Sequence, residues 1–360
     1  MPQPARPETP AHARRVLVSG GAGFIGSTLV DHLIARGDSV TVVVNLSTGR
    51  RDNLPASHPN LRIVEADLSL ALKAFGEGER FDEIYHLAAA VGVKLVISEP
   101  IRSIEVNVEQ TAALLRFAMT HGPGGGPART LIASSSEVYG KSTKVPFSET
   151  DDVVYGPTTA TRWSYACSKA IDEFLALAYH EKEHLPATVV RFFNTVGPRQ
   201  VGDYGMVLPR FVEAALEGAP LHVYGSGEQT RCFCDVRDIV PALTTLMGDN
   251  RSAGGVFNLG SDRVISIAAL ADLVVRTLGS RSRVERVRYS EAYGSGFEDL
   301  LERRPDLSRV RELIGWAPRT TLEQTIADVA RWIEASRPQL ASAARPALHS
   351  PRHHTPEVRS

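Results

Sequence analysis

Short apolar runs alternate along this chain with longer stretches in which apolar residues recur at helical spacing. Val16-Leu17-Val18 and residues 40–44, 61–65, 83–87, 130–133 and 188–192 read as buried strands, being short, mostly apolar and rich in β-branched side chains. Between them, residues 106–119 and 164–180 carry apolar side chains three and four apart, as a helix with one buried face does. Strand–helix alternation of this kind predicts an α/β fold, a Rossmann-type doubly wound parallel sheet with helices on both faces.

After about Thr195 the alternation gives way to loops rich in Gly and Pro, with helical patterns at 267–278 and 322–335. The expectation is a sheet domain over 14–194 with a later returning segment near 228–260, and a smaller C-terminal α/β lobe formed mainly by 195–336. Residues 122–127 read as a loop. Residues 1–13 and 337–360 are rich in Pro, Ala, Ser, Arg and His without periodicity, and read as disordered tails. His349, His353 and His354 in the second tail read as solvated rather than metal-binding.

Composition narrows the classes of function. Lys and Arg number 40 against 41 Asp and Glu, so no basic field points to nucleic acid or to an anionic membrane surface. No apolar run approaches membrane-spanning length, and the Pro-rich start lacks the apolar core of a signal peptide. The cysteines, Cys167, Cys232 and Cys234, are odd in number, which argues for a reducing cytoplasm rather than a disulfide framework. Cys232 and Cys234 read as buried thiols, since no second pair or nearby histidine completes a metal site, and none is expected.

The first chemistry lies where the first strand ends. Ser19-Gly20-Gly21-Ala22-Gly23-Phe24-Ile25-Gly26 separates that strand from a helical pattern, as the glycine-rich turn of a dinucleotide-binding βαβ unit does. Glycines there let the backbone approach a pyrophosphate at the positive end of the helix. The second lies at Tyr165 and Lys169, four apart and so on one helical face. An ammonium beside a phenol lowers the phenol's pKa, so the phenolate can take a proton from an alcohol that gives up hydride. Such a pair otherwise decorates a solvated helix. Its weight comes from Ala133-Ser134-Ser135-Ser136-Glu137, which puts hydroxyls at the carboxyl end of a core strand, where open α/β sheets bind ligands.

With these motifs the chain resembles the extended short-chain dehydrogenases/reductases that act on nucleotide sugars, over about residues 14–335. Gly20, Gly23 and Gly26 match the family's glycine pattern, with Phe24 and Ile25 beside the cofactor. Asp67-Leu68 matches its adenine-contacting segment, Leu87-Ala88-Ala89-Ala90 the loop along the cofactor, and Asn107 an asparagine supporting the site. Ser135, Tyr165 and Lys169 match the catalytic Ser/Thr, Tyr and Lys. Asn194, in Arg191-Phe192-Phe193-Asn194, matches the asparagine that meets the sugar nucleotide, while Leu208, Tyr224 and Arg231 resemble the segments holding base and diphosphate. The resemblance implies NAD, a uridine-linked sugar and a homodimer. Its helices would pair through Ala112, Leu115, Ala118, Leu175 and Ala178, positions that could equally pack on their own sheet.

Within that family Ser135-Ser136-Glu137 looks like the Thr-Ser-Glu of UDP-glucuronate decarboxylases. Dehydratases carry an Asp-Glu pair there, and simple 4-epimerases usually lack the carboxylate. Arg162-Trp163-Ser164-Tyr165, and Tyr293-Gly294-Ser295-Gly296-Phe297-Glu298-Asp299 followed by Arg303-Arg304-Pro305, resemble segments of the same decarboxylases, with Arg303 matching a catalytic arginine. A solvated Arg303–Arg304 charge pair is the plainer alternative. Oxidation at C4 makes glucuronate a β-keto acid, which loses carbon dioxide to an enolate. The resemblance assigns Tyr165 as base, Ser135 and Ser136 as donors to the C4 oxygen, and Glu137 and Arg303 to the enolate and its reprotonation. The product would be UDP-xylose or the UDP-4-keto pentose. A UDP-sugar 4-epimerase and a non-catalytic nucleotide-sugar sensor are the rival readings.

One position departs from the pattern. NAD-using relatives usually end the second strand with an acid that holds the adenosine ribose, and Val44 stands there. Asn45, Ser47, Thr48 and Gly49 are the remaining candidates to meet the adenosine side, while Arg50 and Arg51 are placed to welcome a 2′-phosphate. NAD is the cofactor expected, because redox-neutral sugar enzymes of this type generally retain it.

Overall fold

The computed structural model describes residues 13–90, 96, 98–202, 206–288 and 302–342. Residues 1–12 and 343–360 of the expected tails, and the segment 293–299, lie outside the described residues. The apolar runs form β1 (Arg15–Ser19), β2 (Ser39–Val44), β3 (Leu61–Glu65), β4 (Glu83–His86), β5 (Arg129–Ser135) and β6 (Ala187–Phe192). With the later strand Val256–Leu259 they make one seven-stranded sheet, ordered Val256–Leu259, β6, β5, β4, β1, β2, β3. Every pairing in it is parallel, as the crossover connections require. The strand order reverses between β1 and β4, which opens a crevice at their carboxyl ends.

Each face of the sheet is covered. Helix α1 (Phe24–Ala35) packs on one face with helices Val236–Gly248 and Ser308–Ile314, burying Leu29, Leu33, Ile239, Leu243 and Val310. Helices α2 (Leu68–Ala74), α3 (Pro100–Ala118) and α4 (Trp163–Glu183) cover the other, around Leu72, Leu114, Leu115, Ala118 and Ala176. A third core, with Leu208, Val212, Leu270 and Ile326, joins helices Val207–Glu217, Ile267–Leu278 and Leu322–Ser342.

Several expectations need correction. The last helix runs to Ser342 rather than giving way to a tail at 337, and so continues through Pro338. Leu307, Val310, Leu313 and Trp316 pack with the sheet's helical layer and not with the third core. Leu115 and Ala118, offered as dimer contacts, are fully buried against their own sheet, and Leu175 packs on the same core. The large apolar side chains that α3 and α4 expose are Ile101, Ile104, Ile171 and Phe174, and of the expected contacts Ala178 is exposed as well.

Candidate active site

The glycine turn is built for close backbone approach. Gly20 has φ +75°, and a Cβ there would lie 2.7 Å from the backbone N of Ala88. A Cβ on Gly26 would meet the carbonyl oxygen of Gly20 at 2.2 Å. Gly23 caps α1 without a side-chain bond, so the first-turn N–H groups of Phe24 and Ile25 point out of the helix as an anion site. Leu87 N donates to Ser19 O at 3.1 Å and seats the Leu87-Ala88-Ala89 loop beside this turn. Backbone with this shape fits a dinucleotide pyrophosphate.

Beyond β2, Val44 is buried and Asn45 and Ser47 are exposed. Asn45 Nδ2 donates to Asp67 Oδ1 at 2.8 Å, tying the β2 loop to the residue that precedes α2. Thr48 is half-buried, and Gly49 lies so close to Ala22 that a Cβ would stand 2.8 Å from its carbonyl carbon. Leu68 is buried, so only its backbone can face a ligand. Arg51, read as a phosphate candidate, donates instead to the Pro55 carbonyl at 3.2 Å, and Arg50 lies 3.4 Å from Asp52.

Ser135 ends β5 and caps the turn Ser136–Tyr139, its Oγ accepting from Glu137 N at 3.2 Å. Ser136 is buried at the start of that turn. Tyr165, on the first turn of α4, reaches the same place, close enough for the Ser135 hydroxyl to act on its phenol. Burial first, then Glu137, pushes the phenol above its ordinary pKa, and the Ser135 hydroxyl only partly offsets this. Lys169, four residues along the same helix, has a carboxylate partner of its own. Its Nζ donates to Asp172 Oδ2 at 2.8 Å, with both side chains buried, so the ammonium charge is met by a carboxylate. Asn107 accepts from Ala90 N at 2.9 Å and donates to Ser168 Oγ at 3.1 Å, locking the loop after β4 to α4.

Glu137 faces three arginines. Arg303 bonds it through Nη1, Arg162 Nη2 stands 3.8 Å from its other oxygen, and Arg231 adds its field. Burial alone would raise the carboxyl pKa, but Arg303, then Arg162 and Arg231, hold it below the ordinary value. These arginines favour the carboxylate form of Glu137. Arg303 is buried, which rules out a solvated Arg303–Arg304 pair. It lies on a short strand, Glu302–Arg303, in register with Arg231.

The remaining sugar-nucleotide candidates are Asn194, Arg231, Tyr224 and Leu208. Asn194 sits in a strained turn with φ +20° and donates to Cys232 O at 3.2 Å. Arg231 Nη1 donates to Thr230 O at 2.7 Å. The Tyr224 hydroxyl accepts from Arg210, whose guanidinium stacks 5.1 Å from the ring centre. Leu208 is buried in the lobe core, so its side chain is packing rather than a ligand contact. Sequence reasoning missed Asp172, though its place three residues beyond Lys169 on the helix was a usable sign. It also missed the buried pair in which Arg191 donates to Glu173 at 2.9 and 2.7 Å, with Ser134 bonded to the same carboxylate. Among the described residues no cluster of His, Cys, Asp or Glu is arranged to hold a metal ion, and no helix is long and apolar enough to cross a membrane.

The sequence pattern of the family described as GDP-mannose 4,6 dehydratase matches residues 17–329. The chain belongs to this family, within the nucleotide-sugar branch of the extended short-chain dehydrogenases/reductases. A UDP-N-acetyl-alpha-D-glucosaminuronate decarboxylase of Bacillus cytotoxicus is 38% identical over 89% of this chain and 97% of its own length. UDP-glucuronic acid decarboxylase 2 of Arabidopsis thaliana is 37% identical over 86% of this chain, which spans 66% of that longer protein. Among solved structures, an epimerase of Methanothermobacter thermautotrophicus superposes with a TM-score of 0.82 at 26% identity, covering 92% of this chain and 95% of its own. A dTDP-glucose 4,6-dehydratase of Streptomyces venezuelae, solved with NAD bound, gives 0.78 at 28% identity, covering 90% and 98%. The family fold therefore accommodates dehydratases, epimerases and decarboxylases, and the residues over Tyr165 must separate them.

Proposed function

We propose that this chain is an NAD-dependent decarboxylase of a UDP-linked hexuronic acid, UDP-glucuronate, acting through oxidation at C4. The observation that carries the reading is the Glu137–Arg303 pair beside Tyr165, a fixed charge pair that epimerisation at C4 does not need. The glycine turn, the Leu87-Ala88-Ala89 loop and the Asn45–Asp67 pair would hold NAD, which when bound supplies the acceptor for the C4 hydride. Tyr165 takes the C4 hydroxyl proton and Ser135 donates to the C4 oxygen. As the C5–carboxylate bond breaks, carbon dioxide leaves and the bond's electrons become the enolate, whose charge Arg303, anchored by Glu137, faces; C5 then takes a proton from water. Residues 14–194 with the 228–260 return would carry the cofactor and 195–336 most of the nucleotide-sugar contacts.

The test is incubation with NAD and UDP-glucuronate, followed by carbon dioxide capture and product mass. Loss of carbon dioxide to a UDP-pentose or UDP-4-keto pentose supports the reading, and an unchanged mass points to the epimerase alternative. The Bacillus relative supports a second reading, in which the hexuronate is N-acetylated at C2. The same assay with UDP-N-acetylglucosaminuronate separates the two. A homodimer through α3 and α4 belongs to the proposal, supported by the exposed Ile101 and Phe174.

A further inference from the structure

A run of buried polar side chains leads from the glycine turn to Lys169. Ala88 N donates to Ser19 Oγ at 3.4 Å, and Ser19 Oγ lies 2.7 Å from His86 Nδ1. His86 Nε2 lies 3.1 Å from Thr111 Oγ1, and Thr111 is close enough for its hydroxyl to favour the Asp172 carboxylate. Asp172 Oδ2 then accepts from Lys169 Nζ at 2.8 Å. Ser19, His86, Thr111, Lys169 and Asp172 are each 2% exposed or less, and they come from β1, β4, α3 and α4. Stability alone does not account for the acid in this run. Asp172 Oδ1 is buried with no hydrogen-bond partner among the described residues, and Glu173 beside it adds a like charge. A buried ion pair of this kind gains little over apolar packing. Burial rules broken in this way concentrate at functional positions.

We infer that Asp172 is a positioning residue that acts through Lys169, fixing its ammonium for the bound cofactor, while Ser19, His86 and Thr111 tie that position to the glycine turn. This rests on the NAD-dependent reading of the site and deepens it. A lysine stem is flexible, so a fixed partner is what gives its ammonium one place. The ammonium has three donors, and Asp172 takes one and leaves two for a ligand. A buried ammonium also needs a counter-charge, which Asp172 supplies from the next turn of the same helix. Asp172 itself touches neither cofactor nor sugar in this role.

NAD affinity is measured calorimetrically on the unmodified chain, Asp172→Asn, Lys169→Met and the double variant. Asp172→Asn should weaken NAD by about tenfold, the scale of one charge-assisted hydrogen bond. In the Lys169→Met background the same substitution should change affinity by less than about twofold, because the side chain through which Asp172 acts is gone. At saturating NAD, Asp172→Asn should lower kcat for UDP-glucuronate by about tenfold or more and leave its KM within about twofold. Melting curves establish that each variant is folded. If Asp172→Asn is not, Thr111→Val takes its place in the same cycle, with about fivefold expected for a neutral hydrogen bond. Equal weakening in both backgrounds would make Asp172 a structural residue, and no weakening in either would remove it from cofactor binding. Either result overturns the inference. Absence of carbon dioxide from the unmodified enzyme is a separate failure, of the decarboxylase reading, and leaves the NAD cycle to decide Asp172. An unmodified chain that binds no NAD would overturn both.

Discussion

Lys169 Nζ donates to Asp172 Oδ2 at 2.8 Å, one turn along the same helix, with both groups almost wholly buried. Burial first, then Glu137 and Asp172, hold the Tyr165 phenol above its ordinary pKa, and Asp172 is the same carboxylate that meets the Lys169 ammonium. Burial also pushes the Asp172 carboxyl up, and Lys169 is the first influence opposing it. Lys169→Met should therefore do two things. Turnover should be lost, with NAD affinity reduced, whereas Tyr165→Phe loses turnover and keeps NAD. The variant should also be destabilised by about 3–5 kcal/mol at neutral pH, since a buried carboxylate is left alone. A raised native pKa means the protonated form is favoured, so this loss should shrink at acid pH and grow as pH rises through it. Urea denaturation near pH 5 and near pH 8 reads the difference, and adding Asp172→Asn should remove it.

Much of this architecture was legible because its strands and helices are periodic. Strand 61–65 and helix 267–278 appear at their expected bounds. Strand 130–133 extends to Ser135 because Ser134 and Ser135 pair with β6 despite their polarity. Helix 106–119 in fact starts at Pro100, a residue that suits a first turn. Its early apolar residues, Ile101 and Ile104, face outward and so break the buried-face pattern. The site was legible as single motifs and not as an assembly. Arg162, Arg231 and Arg303 come from three distant stretches, and only the short strand pairing that sets Arg303 opposite Arg231 brings two of them together. Buried charge was equally hidden: Glu173 and Arg191 look like solvated residues in the sequence, yet they bond each other beneath the Ser134 strand.

The exposed face of α3 and α4 carries an assembly prediction. Phe174 is 71% exposed and Ile101 72%, values that one apolar side chain tolerates but a cluster with Ile104 and Ile171 does not readily keep in water. The unmodified protein should sediment as a dimer at micromolar concentration, and Phe174→Arg should yield a folded monomer. A monomeric unmodified protein would end the dimer proposal without touching the chemistry.

His86 predicts a defined acid sensitivity. Its Nδ1 lies 2.7 Å from Ser19 Oγ and its Nε2 3.1 Å from Thr111 Oγ1, joining β1, β4 and α3. Burial, and then Lys169, lower its pKa from 6.5 to about 3. The unfolded chain therefore takes up a proton below about pH 6.5 that the folded protein refuses. The stability contributed by neutral His86 is present above that pH and lost as pH falls toward 3. His86→Gln should lower stability overall but flatten its decline between about pH 6.5 and 4.5 by roughly one proton, near 1.4 kcal/mol per pH unit at most. Parallel curves for variant and parent in denaturant titrations would show that His86 does not govern the decline.

The sharpest test falls on Glu137 and Arg303. Their bond fixes a guanidinium beside Ser135 and Tyr165, and the surrounding arginines keep Glu137 ionised. If the reaction is decarboxylation, Arg303→Ala removes the cation facing the enolate, and Glu137→Gln releases that cation from its position. Each should cut carbon dioxide release from UDP-glucuronate by about 10²–10³, the usual scale for one preorganised charged contact. NAD affinity should persist, because neither residue belongs to the glycine turn. The two substitutions differ in pH behaviour. Glu137 raises the Tyr165 phenol pKa, so Glu137→Gln should shift the acid limb of the residual rate to lower pH. Arg303→Ala deletes a positive charge near the same phenol and should not shift it downward. Unchanged rates in both variants, with carbon dioxide still released, would falsify the residue roles while leaving the reaction in place.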